Sequence, residues 1–264
     1  MSIGPFTDNT RPRPIHEIFA NGRKPFPFRI AAPSFLIPGT VAENVAFLDT
    51  LVPEIAVLLF QTDACLAYDE RDLPSSLARM GVAWHLHLPL DLPWAEGPRT
   101  VWERIAALLD KTAFLTPWAF VLHPPRAGAE LSALAKHLRA AGYSPSDFLL
   151  ENIEGNDLSA LWDAVLGDNF SACLDLGHVL TYGQESVLAR PDLWDRVRML
   201  HVNAPGPKGR HLSLAALDAR GRELLREMLG RLAPGATVTI EVFDAAGWFE
   251  SAALLADWWN EWNA

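Results

Sequence analysis

The sequence predicts an α/β protein of the (β/α)8 TIM-barrel class carrying an extended N-terminal arm. Three observations lead to that expectation. From residue 28 onward short apolar runs alternate with segments of helical period, giving eight strands and eight helices over about 235 residues, close to the roughly 250 of a typical barrel. The strand-like runs end repeatedly in residues able to ligate a metal. Six parallel strands of an open sheet, about 4.8 Å apart, would spread those ends over roughly 24 Å, whereas a closed barrel gathers them at one mouth.

Residues 1–28 carry Pro5, Pro12, Pro14, Pro25 and Pro27 with several arginines, which suits an extended arm; residues 29–264 form the barrel domain. The first strand is expected over 28–32. A loop through Pro38-Gly39 follows, and Thr40 with Glu43 forms a capping box for a helix reaching about residue 51. Strands are expected over 55–60, 82–88, 119–123, 147–151, 170–176, 196–202 and 237–243. Between them come helices at 75–79, 100–115, 129–141, 158–165, 186–189 and 215–232, with a last one at 249–262. In that last helix Leu255, Trp258, Trp259 and Trp262 fall at i, i+3, i+4 and i+7, either a buried stripe or a seam with the arm.

Composition narrows the partners. Half of the 264 residues are apolar, enough for a large core, and 22 basic against 32 acidic residues give a net charge of −10 with no dense basic run. Affinity for nucleic acid rests on neutralising phosphates, so this balance argues for a small-molecule substrate. Cys65 and Cys173 do not suggest a disulfide framework, and the sequence shows neither a membrane-length apolar run nor a secretory leader. The expectation is a soluble, cytoplasmic protein.

The chemistry centres on 170–178. In a strand there, Ser171, Cys173 and Asp175 share one face and Ala172, Leu174 and Leu176 the other. Gly177 then lets the chain change direction so that His178 turns back towards Asp175. A carboxylate beside an imidazole suits a metal, although the same Asp could cap the next helix. His85 and His87 face inward on their strand, and His123, Glu151, His201 and Glu241 close the strands at 119–123, 147–151, 196–202 and 237–243. His211 follows in a loop. Singly, each histidine could be a hydrogen-bonded core residue; jointly, these are N and O ligands for zinc, manganese or iron. His16 and His137 lie outside the pattern.

The set formed by His87-Leu-Pro, Leu122-His123-Pro124, Leu150-Glu151-Asn152, Cys173-Leu-Asp175-Leu-Gly177-His178, His201-Val-Asn203, Arg210-His211 and Glu241 resembles the xylose isomerase-like barrels that include the endonuclease IV type of apurinic endonuclease. The resemblance implies that His87, His123, Glu151, Asp175, His178, His201, His211 and Glu241 bind metal. The nuclease motif reads Asp-Arg-His where this chain has Gly209-Arg210-His211, so two ions are expected rather than three. The runs 31–39, 87–94 and 241–244 look like those of cobamide-remodelling phosphodiesterases, which cut the nucleotide-loop phosphodiester, release the lower-ligand nucleoside and leave cobinamide phosphate. On that likeness Glu151, Glu241 and Asp175 are the catalytic candidates and Arg210, His85 and Asn203 the substrate contacts; Arg210 could equally be a surface residue. The alternative is a sugar isomerase or epimerase using one divalent metal at Glu151, Asp175, His201 and Glu241.

Overall fold

The structure, a computed structural model, describes residues 12–20 and 24–264. Eight parallel strands close into a barrel: β1 (Arg29–Pro33), β2 (Glu54–Leu58), β3 (Ala83–His87), β4 (Phe120–Leu122), β5 (Phe148–Glu151), β6 (Ser171–Asp175), β7 (Val197–Val202) and, after a two-residue hairpin of β8 (Ala204–Pro205) with β9 (His211–Leu212), β10 (Thr237–Ile240). β10 pairs with both β1 and β7, which completes the ring.

Alternation along the strands sorts side chains into two cores. Ile55, Val57, Trp84, Leu86, Leu150, Leu174, Leu200 and Val238 point outward into the shell shared with the helices. Ala119, Val121, Leu149, Cys173 and Met199, all without exposed surface, fill the barrel itself. The face read for Cys173 is therefore the observed one. Because the strands are parallel, their C-terminal ends meet at one mouth.

Helices α2 (Val41–Leu48), α4 (Pro98–Thr112), α5 (Gly128–Ala140), α6 (Trp162–Asp168), α8 (Ala219–Arg231) and α9 (Ala245–Trp262) match expected ones in position. The Thr40 and Glu43 capping box is present, with Glu43 N donating to Thr40 Oγ1 at 3.2 Å and Thr40 N to Glu43 Oε2 at 2.7 Å. Caps of this kind are worth about 1 kcal/mol. α9 starts four residues earlier than expected because the Asp244 side chain accepts from Gly247 N at 2.8 Å. Within the barrel two helices are additional: α3 (Thr62–Leu66) and α7 (Leu176–Tyr182). The short helices expected at 75–79 and 186–189 are 3₁₀ turns, Ser75–Arg79 and Glu185–Ala189.

The arm is not extended throughout. Ile15–Phe19 form a helical turn, α1, with Ile15 buried and its N–H donating to Leu51 O at 2.8 Å. Phe26 packs on Phe19, Phe28 and Trp259 at centroid distances of 4.5, 5.2 and 5.2 Å, so Trp259 of the α9 stripe forms a seam with the arm, while Trp258 lies under Arg222 of α8. Residues 1–11, including Pro5, and 21–23 lie outside the described residues. Among the described residues no helix is long and apolar enough to cross a membrane.

Candidate metal centre

Strand ends deliver the functional side chains to the mouth. Glu151, the last residue of β5 and fully buried, is the hub: His123 Nε2 lies 3.0 Å from its Oε2, His87 Nε2 3.1 Å from the same oxygen, and His201 Nδ1 3.0 Å from Oε1. Glu241, directly after β10, meets His211 Nδ1 at 3.1 Å and His201 Nδ1 at 3.4 Å. Asp175 ends β6. Its Oδ1 accepts His178 N at 2.6 Å, capping α7, and its Oδ2 accepts Asn203 Nδ2 at 2.7 Å. Capping and metal ligation are thus compatible duties of one carboxylate.

His178 returns to Asp175 for a different reason from the one expected. α7 begins at Leu176, and the helix places His178 three residues past its cap, with no left-handed break at Gly177. What the glycine allows is close approach: a Cβ there would come within 1.9 Å of Asn203 Oδ1. Asn203 is therefore a buried support for Asp175 rather than a substrate contact. Asn152 shares that task, accepting Asp175 N at 2.7 Å and donating to Gln184 Oε1 at 2.9 Å.

The chemistry of the donors suits a cation. His87 Nδ1 faces Leu88 O at 3.0 Å, His178 Nδ1 faces Asn152 O at 2.8 Å, and His211 Nδ1 faces Glu241 O at 3.0 Å. A carbonyl only accepts, so each Nδ1 carries hydrogen and Nε2 is the nitrogen left to offer a lone pair once its own proton is lost, the arrangement typical of metal-binding imidazoles. For His87 that nitrogen points at a carboxylate oxygen. Such a contact requires a positive charge between the two atoms, a proton or a metal. Three groups of ligand atoms lie within 4.8 Å of one another: His87, Glu151 and His201; Asp175, His178 and His211; and Glu151, Asp175, His201 and Glu241.

Titration follows the same logic. Burial pushes Glu151 up, yet the imidazoles of His201, His123 and His87 hold it well below the usual carboxylate range; burial likewise raises Glu241, and His201 and His211 outweigh it. Burial pulls His211 down, but Glu241 raises it to about 9. Asp175 is raised, first by burial, with Glu241 and Glu151 adding to the effect. Burial pushes the Cys173 thiol up to about 12, so it is no thiolate ligand.

A 220 Å³ cavity opens over these groups. It is lined by His87, His123, Glu151, His178, His211 and Glu241 and by the apolar Leu58, Leu59, Phe60, Leu90 and Phe243. Phe243 stacks on His211 at 5.2 Å, and Phe35, 43% exposed, extends the apolar wall through Phe60 at 5.1 Å.

No family model matches the chain, and no curated protein does. Solved structures do. A D-tagatose 3-epimerase-like protein superposes with a TM-score of 0.68 at 16% identity, covering 89% of this chain and all of its own. The IOLI protein, whose structure holds a zinc atom, gives 0.63 at 13% identity over 87% of this chain and 95% of its own. SacUVDE gives 0.58 at 12% identity over 87% and 98%. The likeness is one of fold.

The structure gathers all eight expected ligand residues at the mouth, but sets two expected substrate contacts apart. His85 is fully buried below the mouth, with Nδ1 2.7 Å from Glu54 Oε1. Arg210 is exposed in the β8–β9 hairpin and does not line the cavity, whereas Gly209 does, at φ +71°. Sequence reasoning missed the supports Asn152 and Gln184 and the interior acid Glu54. Glu54 had a signal: it shares strand parity with Ala56 and Leu58, an acid on the inward face of an apolar run.

Proposed function

We propose that the protein is a metal-dependent hydrolase of a small phosphodiester, with a cobamide as substrate. The observation that carries this reading is the surplus of candidate ligand atoms gathered at the mouth over what one ion needs. Glu151, Asp175, His201 and Glu241 suffice for one ion; His178 and His211, sharing Asp175, provide for a second, and His87 and His123 complete the shell around Glu151. Bound divalent ions would supply Lewis acidity, which eases proton loss from water and offsets charge on phosphoryl oxygens.

The chain's own groups then have distinct duties. The ionised Glu151 and Glu241 would hold the cations, whose charge would offset the carboxylates that otherwise repel phosphate. Asn203, Asn152 and the α7 N-terminus fix Asp175. Water adds at phosphorus, the P–O bond to the nucleoside breaks, and that oxygen takes up the proton water loses, leaving cobinamide phosphate. The apolar wall of Phe60, Leu90 and Phe243 excludes solvent from one side and receives an uncharged part of the substrate. The net charge of −10 supports a small substrate over a nucleic acid.

The second reading is a one-metal sugar epimerase. It is favoured by the Glu151, Asp175, His201 and Glu241 group and by folds such as the D-tagatose 3-epimerase-like protein. Against it, among the described residues the cavity lining outside the ligand-type residues offers no side-chain donor or acceptor for sugar hydroxyls. Metal-loaded protein assayed in parallel on a cobamide, a generic phosphodiester and a ketose panel separates the two. Hydrolysis of the cobamide is expected; ketose epimerisation without hydrolysis would refute the first reading.

A further inference from the structure

Below the mouth, the barrel interior holds a polar group that the metal centre leaves unexplained. Glu54 and His85 have no exposed surface. His85 Nδ1 lies 2.7 Å from Glu54 Oε1, which also accepts the Trp118 indole N–H at 2.8 Å, while Oε2 accepts the Thr237 hydroxyl at 3.0 Å and lies 3.4 Å from Arg29 Nε. A carboxylate so surrounded is ionised, so His85 donates from Nδ1 and its Nε2 remains an acceptor. Among the described residues that acceptor has no partner.

Among the described residues His201 Nε2 and Thr239 Oγ1 also lack a hydrogen-bonded oxygen or nitrogen, both residues being 1% exposed, although the Cys173 thiol lies against His201. Their placement turns all three towards the barrel interior. β3 and β7 stand opposite each other in the closed barrel, so His85 and His201 reach towards the axis from facing sides, and Thr239 on β10 is in register with His201. Ala31, in register with Thr239, and Ala56, in register with His85, leave space between them. An imidazole that turns Nδ1 to a metal carries hydrogen on Nε2 and ordinarily donates it. Buried polar atoms seldom go without a partner, and a buried water typically makes about three hydrogen bonds.

We infer that one ordered water joins His201 Nε2, His85 Nε2 and Thr239 Oγ1, making Glu54 and His85 positioning residues that hold His201 with Nδ1 towards the metal centre. The polarity is consistent along the chain: His201 donates to the water, the water donates to His85 Nε2 and to Thr239, and His85 donates to Glu54. The positioning role rests on the metal reading of the mouth; the water bridge does not.

Two measurements on the full chain test this. Zinc affinity, read by competition with a chromophoric chelator, is expected to weaken about tenfold or more in His85→Leu, the scale of a lost outer-shell partner, and to stay within about threefold of wild type in His85→Gln, whose amide can serve both Glu54 and the water. Thr239→Val, nearly isosteric, weakens it by a smaller factor and covers a His85→Leu chain that does not fold. Equal losses in the Leu and Gln variants, or zinc binding by His85→Leu within about twofold of wild type, would overturn the positioning role. A high-resolution crystal structure of the wild type reads the bridge independently: a water within hydrogen-bond reach of the three atoms is expected, and three atoms left unbridged would overturn it even where zinc binding itself fails.

Discussion

Glu241 shows how much a single residue carries at this mouth. It directly follows β10, between Ile240 and Val242, which are fully buried on the outer face, and its carboxylate faces His211 and His201. Glu241→Gln keeps that outer packing and removes only a candidate anionic ligand, so on the proposed function turnover should fall by about 100-fold or more while circular dichroism is unchanged. An active variant would take Glu241 out of the centre. Gly209→Asp, which restores the Asp-Arg-His spacing, meets a backbone at φ +71° and would be strained by about 1–3 kcal/mol, so the residue that departs from the nuclease motif is fixed by conformation as well as chemistry. Parity along a strand told which face His85 and His87 share, but not how deep each lies. Two residues are about 6.6 Å of rise, enough to put one at the mouth and the other beneath it. Arg210 was unreadable for another reason: it stands outside any periodic element, so nothing in the pattern fixes its direction.

At the scale of elements, β6 and α7 form one device in which Asp175 closes the strand, caps the helix and joins the candidate ligand set. α7 was missed because its seven residues give too few turns for an apolar period to show, and α3, with five, is shorter still. The strands were legible because an inner and an outer core demand strict alternation. The seam between α9 and the arm was legible only as an alternative, since an apolar stripe does not say what covers it. Trp259, 9% exposed and packed edge-on against Phe26 and Phe28, is the centre of that seam. Trp259→Ala should cost about 3–5 kcal/mol in denaturant unfolding. A loss below about 1 kcal/mol would mean that the arm contributes little to the fold.

For the whole molecule, pH acts on two layers with opposite sign. His211 is raised from 6.5 to about 9 by Glu241, so in the metal-free chain its contribution to stability is whole below pH 6.5 and is lost as the pH rises through about 9. A metal needs that nitrogen free of its competing proton, so apparent zinc affinity should rise from pH 6.5 towards 9; a flat profile in zinc titrations would contradict this. Beneath, burial lowers His85, and His85, Trp118 and Arg29 lower Glu54 against the effect of burial. Their contributions are whole above their ordinary values of 6.5 and 4.5 and are lost on acidification, so the melting temperature of the metal-free chain should fall as the pH drops below 6.5. The central claim is that five imidazoles and three carboxylates make room for a second ion where a sugar epimerase would need one. Elemental analysis of protein loaded to saturation with zinc and freed of excess tests it most directly. Two equivalents per chain are predicted; a ceiling of one, or three held tightly, would contradict the account.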